Sequence, residues 1–212
     1  MKSFINFLVK EEAKPTEASA DRHNPISVDA FHGSGVHFDQ FKQEHAKLPN
    51  DYYGGGIGYF TTSHNVATTY AKSRAASMKT KTPHVYHTNL SMKNVFDVDH
   101  VFTGEELKKF LPKDELKHEQ FARHAGIMKY GTDRIKTVDD LRSGKASLTG
   151  HQLFQALSEN GNSTAKARDL LIKHGYDGLR YNGGANMDMA ERHDVYIPYH
   201  AKHIKIKKVE KI

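Results

Sequence analysis

A glycine-rich segment, Gly54-Gly55-Gly56-Ile57-Gly58, constrains the fold of this chain more than any other feature. Four glycines within five residues disfavour a helix, because glycine loses the most backbone entropy on ordering, but they let the backbone approach a ligand closely. The next residues, Tyr59-Phe60-Thr61-Thr62, are rich in strand formers and predict a strand that leaves the loop. Glycines that open onto two aromatic residues favour a slot for a flat, charged heterocycle.

A short helix is expected directly after this strand. Ser63 or Asn65 supplies the N-cap, and the helix is predicted over Asn65 to Ala76. One side of this helix would carry Val66, Tyr70 and Ala71. Tyr70 would therefore point back toward the strand that carries Tyr59 and form the second wall of the slot.

Composition favours one domain with no membrane segment. The chain has 212 residues, and no apolar run in it approaches the roughly 20 residues that a membrane helix needs. Cysteine is missing, which excludes disulfides and thiol chemistry and fits an intracellular site of action. The 15 histidines show no HExxH spacing, so no metal site is expected. A net charge of +6 is compatible with a nucleic-acid partner, and equally with a pyrophosphate ligand or an acidic protein.

The sequence divides into a tail and one domain with an insertion. Residues 1–24 lack core-forming residues after a short apolar start, so a flexible N-terminal tail is predicted there. Residues 25–212 form the domain. Within it, spaced apolar residues predict a helical insertion over about 101–174, and Gly175 ends its last helix. We expect this insertion to serve packing or substrate contact, because no catalytic spacing occurs in it.

Several short motifs follow one another along the chain: His32-Gly33-Ser34, Gly58-Tyr59-Phe60, Tyr70, Val85-Tyr86 through Lys93-Asn94, Gly175-Tyr176-Asp177-Gly178, and Val195-Tyr196-Ile197-Pro198-Tyr199. Together they resemble the ADP-ribosyltransferases of the diphtheria-toxin and poly(ADP-ribose) polymerase branch, also called the H-Y-E branch. They are closest to the small transferase domains of phage and mobile-element polyvalent proteins. The resemblance covers about residues 28 to 100 and 170 to 206. The start of the tail also resembles the capsid-targeting prosequences of internal head proteins.

The resemblance implies a fold and a ligand. The fold is α+β, with a split β core of two small antiparallel sheets, and the co-substrate NAD lies in the cleft between them. His32 would hydrogen-bond a ribose hydroxyl, and the Gly33 backbone would meet the nicotinamide carboxamide. Tyr59 and Tyr70 would stack on the cationic nicotinamide ring. Phe60, Ser34 and Thr62 are further candidates for cofactor contact, Ser34 on the adenosine side.

Two positions depart from the family pattern. The related enzymes place a glutamate just before the last strand, where it faces the developing positive charge, but that register falls on Val195 here. Asp194 is the first candidate for this acid if a β-bulge turns it inward, and Glu191 is the second. The other departure is Ala67, where some polymerases carry a serine; Thr68 or Thr62 is the candidate substitute.

The predicted function is mono-ADP-ribosylation of a host macromolecule, with a host protein as the favoured acceptor, by a phage effector. The expected catalytic residues are Asp194, Glu191, His32 and Tyr59, with NAD as co-substrate and no metal. The expected location is the virion interior, the bacterial host cytoplasm, or both. Two alternatives stay open: an NAD glycohydrolase with water as acceptor, and a catalytically weak module that binds NAD-like ligands or proteins.

Overall fold

A computed structural model describes residues 25–44, 53, 56–79, 82–114, 117–126, 138–184 and 191–212. The predicted tail, with its resemblance to a prosequence, lies outside the described residues, as do Gly54 and Gly55 of the glycine-rich segment. None of the helices in the described part of the chain is long and apolar enough to cross a membrane.

Nine strands are described. They are β1 Ile26–Ser34, β2 Phe60–Thr61, β3 His84–Met92, β4 Val95–Asp97, β5 Val101–Thr103, β6 Ser147–Thr149, β7 Gly178–Gly183, β8 His193–Pro198 and β9 Ile204–Lys211. The described helices are α1 His64–Ser77, α2 Gly104–Lys108, α3 His118–His124, α4 Val138–Arg142, α5 Gly150–Leu157 and α6 Thr164–Lys173. This mixture of a sheet core and several helices confirms the predicted α+β class.

Seven strands form one mixed sheet in the order β4-β7-β8-β2-β1-β3-β9. The pair β4/β7 is parallel, and the other neighbours are antiparallel. The motif-bearing strands β8, β2, β1 and β3 are therefore consecutive. β5 and β6 form a separate two-stranded sheet, which the sequence did not predict.

The prediction of two separate antiparallel sheets differs from the sheet observed here. A narrow link joins the halves β4-β7-β8 and β1-β3-β9, because β2 has only two residues. It pairs with β1 at Phe31–Thr61 and with β8 at Phe60–Tyr196 and Thr61–Val195. The physical reason for one sheet is that this short strand satisfies backbone groups on both neighbours.

The inserted helices cover one half of the sheet. Their apolar side chains form the largest buried cluster together with Phe96, Leu179 and Ile197 from β4, β7 and β8. α2 and α5 begin with capping boxes at Thr103 and Thr149, in which the side chains satisfy backbone groups that the first helical turn leaves free. The insertion is thus a packing module on the β7/β8 half, in agreement with the helices predicted there.

Helix α1 covers the other half of the same face. Its buried side is a stripe of alanines, Ala67, Ala71 and Ala75, four residues apart. The predicted helix is confirmed, but its predicted inner side is wrong in one respect, because Tyr70 is 52% exposed. Alanines allow α1 to approach β1 so closely that a Cβ on Gly33 would lie 2.1 Å from the Ala67 carbonyl oxygen. Small residues on both elements therefore set this helix–strand distance.

Candidate active site

The candidate site lies where β2 separates from β1. If their pairing continued beyond Phe31–Thr61, His32 to Ser34 would face Phe60 to Gly58. Instead, the segment before β2 follows β8, since the Ile57 amide donates to the Pro198 carbonyl at 2.9 Å. Within the described residues, the edge of β1 from His32 to Ser34 therefore has no strand neighbour on this side. The gap leaves the end of β1 beside the segment that leads into β2 without a strand pairing between them.

His32 bridges this gap. Its Nδ1 lies 2.8 Å from the Tyr59 carbonyl oxygen, and a Cβ on Gly58 would lie only 3.2 Å from its ring. Phe60 and Phe41 pack against the ring with centroids 5.3 and 5.2 Å away. Packing therefore favours glycine at position 58, because a side chain there would crowd the imidazole of His32.

The surroundings of His32 fix its protonation. Burial lowers the pKa of His32 to about 4, and the charge of Arg74 acts in the same direction, so the imidazole is neutral at neutral pH. A carbonyl oxygen can only accept a hydrogen bond, so Nδ1 carries the proton in the bond to Tyr59. Nε2 is then unprotonated, and its lone pair can accept a hydrogen bond from a hydroxyl group.

The segment after β1 closes over His32. Phe38 stacks on Tyr86 of β3 at 4.1 Å between ring centroids, and its amide donates to the Tyr86 hydroxyl at 2.6 Å. The Tyr86 hydroxyl in turn donates to the Phe38 carbonyl at 3.0 Å. Phe41 in turn packs edge-on against Phe38, with ring centroids 4.9 Å apart, and lies against His32. Sequence reasoning missed this segment, although two phenylalanines three residues apart after a strand were a usable signal.

Gly33 and Ser34 have local roles in the structure besides the predicted ones. Gly33 permits the close approach of α1, and its contact with a carboxamide stays a prediction. The Ser34 hydroxyl donates to the Val36 carbonyl at 2.8 Å and accepts from the Val36 amide at 3.2 Å. It is 9% exposed, so its hydroxyl is engaged in its own turn, and a contact with adenosine would have to compete with these bonds.

The aromatic candidates occupy different environments. Phe60 is fully buried and packs against His32 from within the core, and its contact with a cofactor stays a prediction. Tyr59 is partly buried and packs against the helical cluster. Tyr70 presents half of its surface from α1 and is available to a ligand. The stacking of nicotinamide between the two tyrosines stays a prediction.

Asp194 forms an ion pair with Arg180. Its Oδ1 lies 3.0 Å from Nη2 of Arg180, and Arg180 also contacts Asp97 at 2.9 Å. The β-bulge that would turn Asp194 inward is not found here, because β8 pairs with β7 without a register shift from His193 to Pro198. Val195 is buried on the opposite face of the strand from Asp194. The Thr62 hydroxyl accepts from the Asp194 amide at 3.0 Å, so Thr62 extends the β2/β8 pairing.

Glu191 lies beside the start of α1. The Ser63 hydroxyl donates to Glu191 Oε2 at 3.0 Å and accepts from the Val66 amide at 3.2 Å, which makes Ser63 the N-cap. A carboxylate at this position interacts favourably with the positive end of the helix dipole. Glu191 itself is exposed, and among the described ion pairs it has no cationic partner. Unlike Asp194, Glu191 therefore has no described cation beside it, and it lies next to the strand–helix segment that carries Tyr59 and Tyr70.

Sequence reasoning missed two contacts that decide between these acids. Arg180 neutralises Asp194, and Ser63 orients Glu191. Neither pairing leaves a sequence signal, since Arg180 lies 14 residues from Asp194 and Ser63 lies 128 residues from Glu191.

Comparison with known proteins adds little to this geometry. No protein-family description and no curated protein matches the sequence. Among solved structures, the fold is similar to a chain of the MbcT–MbcA toxin–antitoxin complex of M. tuberculosis. The identity is 10%, the alignment covers 89% of this chain and 86% of the other, and the TM-score is 0.44. A likeness at this level carries no conclusion about function.

Proposed function

We propose that this protein is a mono-ADP-ribosyltransferase that uses NAD as its co-substrate. The observation that carries the proposal is His32, a neutral imidazole whose Nδ1 is fixed on a backbone carbonyl beside the gap between β1 and β2. Its remaining nitrogen is an acceptor at neutral pH. A ribose hydroxyl is a donor of the matching kind, and the resemblance of the His32-Gly33 motif assigns this contact to NAD.

The proposed reaction breaks the bond between nicotinamide and ribose. The bond's electron pair leaves with neutral nicotinamide, an acceptor nucleophile bonds to the ribose carbon, and the acceptor's proton is released. Positive charge develops on the ribose in the transition state, so a nearby unpaired carboxylate would lower the barrier. His32 would hold the ribose, and Tyr59 and Tyr70 would stabilise the cationic nicotinamide ring before it leaves.

Glu191 is the acid that we assign to this reaction, in place of Asp194. Asp194 already shares its charge with Arg180 at 3.0 Å, so little of that charge remains for a transition state. The only side-chain partner described for Glu191 is a neutral hydroxyl, that of Ser63. It precedes β8 by two residues and lies four residues before Val195, the position that matches the glutamate of the resembling enzymes.

The acceptor is proposed to be a macromolecule of a bacterial host, with a protein favoured over a nucleic acid. The charge of +6 suits acidic partners of either kind. A role in phage infection rests on the resemblance to polyvalent proteins and stays part of the proposal.

The decisive experiment incubates the purified protein with NAD labelled in the adenylate part and a bacterial lysate. Label on protein supports the proposal, and label that nuclease but not protease removes would transfer the acceptor to nucleic acid. Free ADP-ribose without labelled macromolecules would identify a glycohydrolase. No turnover, together with NAD binding in calorimetry, would identify a binding module.

The matched variants for this assay are His32→Asn and His37→Asn. Asparagine at position 32 keeps a donor near the place of Nδ1 but has no group at the place of Nε2. His37 is exposed on the segment that follows β1, so its replacement controls for the loss of a histidine. We expect turnover to fall at least tenfold, about 1.4 kcal/mol in the barrier, in His32→Asn only. Equal turnover in the two variants would remove His32 from the mechanism.

A further inference from the structure

A second cluster of chemistry-bearing side chains lies apart from His32. His64 is the first residue of α1, His87 lies on β3, and Glu210 lies on the edge strand β9. The three side chains lie on the α1 side of the sheet, whereas His32 alternates to the other side. None of them has a role in the proposed ADP-ribosyl transfer.

One carboxylate oxygen joins both imidazoles. Oε2 of Glu210 lies 3.2 Å from Nε2 of His64 and 2.9 Å from Nε2 of His87. The donor atoms of the three residues all lie within 4.8 Å of one another. Donors that bind a tetrahedral zinc ion at about 2.0–2.1 Å lie roughly 3.3 Å apart. Small shifts of side chains would therefore place all three donors around one ion.

Packing orients the two rings toward the carboxylate. Phe31 makes edge contacts with His64 and His87 at centroid distances of 5.2 and 5.0 Å. The side chains of His64, His87 and Glu210 are 39%, 28% and 33% exposed, so the cluster is half-buried but reachable from solvent. The strand register contributes as well, because Glu210 pairs with Val85 and so lies diagonally across from His87.

We propose that His64, His87 and Glu210 bind a divalent transition-metal ion of the zinc type. Two neutral imidazoles and one carboxylate form a donor set that suits zinc in proteins, with a fourth position left for water. The fold supplies this set from three separate elements. Binding would connect the start of α1 to the C-terminal edge strand.

The strongest opposing group is Lys208. It pairs with His87 in the β3/β9 register, so its positive charge lies on the same face of the sheet as the cluster. The same charge would repel a cation at the cluster. Lys208→Gln is therefore expected to tighten metal binding, a result that a site formed by unrelated surface histidines would not give.

The test is a calorimetric titration of Zn²⁺ into untagged, chelator-treated full-length protein at neutral pH. We expect one ion per chain. The double variant His64→Gln/His87→Gln should weaken Zn²⁺ binding by more than about tenfold to a hundredfold, the loss known for residues that only support metal ligands. Glutamine keeps an amide donor for Glu210 and so limits damage to the fold. Co²⁺ as a substitute ion should give the intense visible absorption of a tetrahedral site.

His37→Gln is the matched control, since His37 lies 4.0 Å from Asp39 and also forms a histidine–carboxylate pair. Its Zn²⁺ affinity should equal that of the parent. The proposal is overturned if the parent does not bind Zn²⁺, or if the double variant binds it as the parent does. Equal losses in the double variant and the control would also overturn it. NAD turnover is not part of this test, so the metal site and the proposed function fail independently.

Discussion

At the scale of single residues, burial rather than a charged partner sets the chemistry of His32. Loss of hydration lowers its pKa from 6.5 to about 4, and Arg74 adds to the effect. The unfolded chain therefore binds a proton at His32 between about pH 6.5 and about pH 4, whereas the folded protein does not. By linkage, the stability contributed by neutral His32 is complete above this window and is lost as pH falls through it.

The pH dependence of unfolding tests this view of His32. Between pH 7 and pH 4.5, the free energy of unfolding should fall by about 2 kcal/mol more in the parent than in His32→Asn, which cannot titrate there. Burial also lowers the pKa of His151 and of His174. They titrate alike in both proteins, so the difference isolates His32. Parallel pH profiles in urea unfolding would show that His32 is not buried in solution.

The two candidate acids are separated by a pair of amide variants. Glu191→Gln should lower turnover about tenfold to a hundredfold with little change in stability, because the amide oxygen still accepts from Ser63. Asp194→Asn should leave turnover near that of the parent but lower stability by about 1 kcal/mol, since it weakens the pair with Arg180. Rates from labelled NAD and urea unfolding give the two readouts. The reverse pattern would return the catalytic role to Asp194.

Tyr70 offers a test of ligand stacking that is nearly free of stability effects. The residue is 52% exposed, so Tyr70→Ala should leave the unfolding free energy within about 0.5 kcal/mol. NAD affinity should fall by about 1–2 kcal/mol, as expected for an aromatic ring against a cationic one. Met78→Ala, at a residue 50% exposed at the end of the same helix, is the control. Calorimetry that finds equal affinity in all three proteins would remove Tyr70 from the site.

At the scale of elements, the short distance between α1 and β1 depends on a glycine in β1 and on alanines in α1. A Cβ on Gly33 would lie 2.1 Å from the Ala67 carbonyl oxygen and 2.8 Å from the Ala71 amide nitrogen. Both are backbone atoms, so a rotamer change cannot relieve the clash, and the helix would have to move. Because α1 carries Tyr70 and is capped by Ser63, such a movement would disturb both the acid and the aromatic wall of the site.

Gly33→Ala is expected to lower the free energy of unfolding by about 3 kcal/mol, at the upper end of the cost of overpacking. Gly161→Ala serves as the comparison. Gly161 has a φ of +85°, but a Cβ there would meet open space, so only the roughly 1–2 kcal/mol of a left-handed backbone applies. Urea unfolding of both variants measures the difference. Equal losses would mean that α1 packs less closely on β1 than the Gly33–Ala67 contact implies.

At the scale of the whole molecule, local signals predicted the elements and long-range contacts decided the site. Strand-forming residues predicted β2, and Ser63 as an N-cap predicted the start of α1. The spacing of apolar residues predicted the inserted helices. The sequence did not predict that Ala67, Ala71 and Ala75 form the buried side of α1, because alanine carries a weak hydrophobic signal. The role of Glu191 depends on Ser63, 128 residues away, and the fate of Asp194 depends on Arg180. Such pairings follow from strand order, which single-sequence patterns do not encode.

The brevity of β2 has a mechanical consequence. In the described residues, β2 joins the two halves of the sheet. It forms one backbone pair with β1 and two with β8. Under a pulling force or in native-state hydrogen exchange, this seam should separate before either half loses its own pairings, since the opening of a few pairs costs far less than global unfolding. The amides of Phe60 and Thr61 should then exchange sooner than those of β3. A ligand that contacts both sides of the gap would hold the two halves together and slow the exchange of the Phe60 and Thr61 amides.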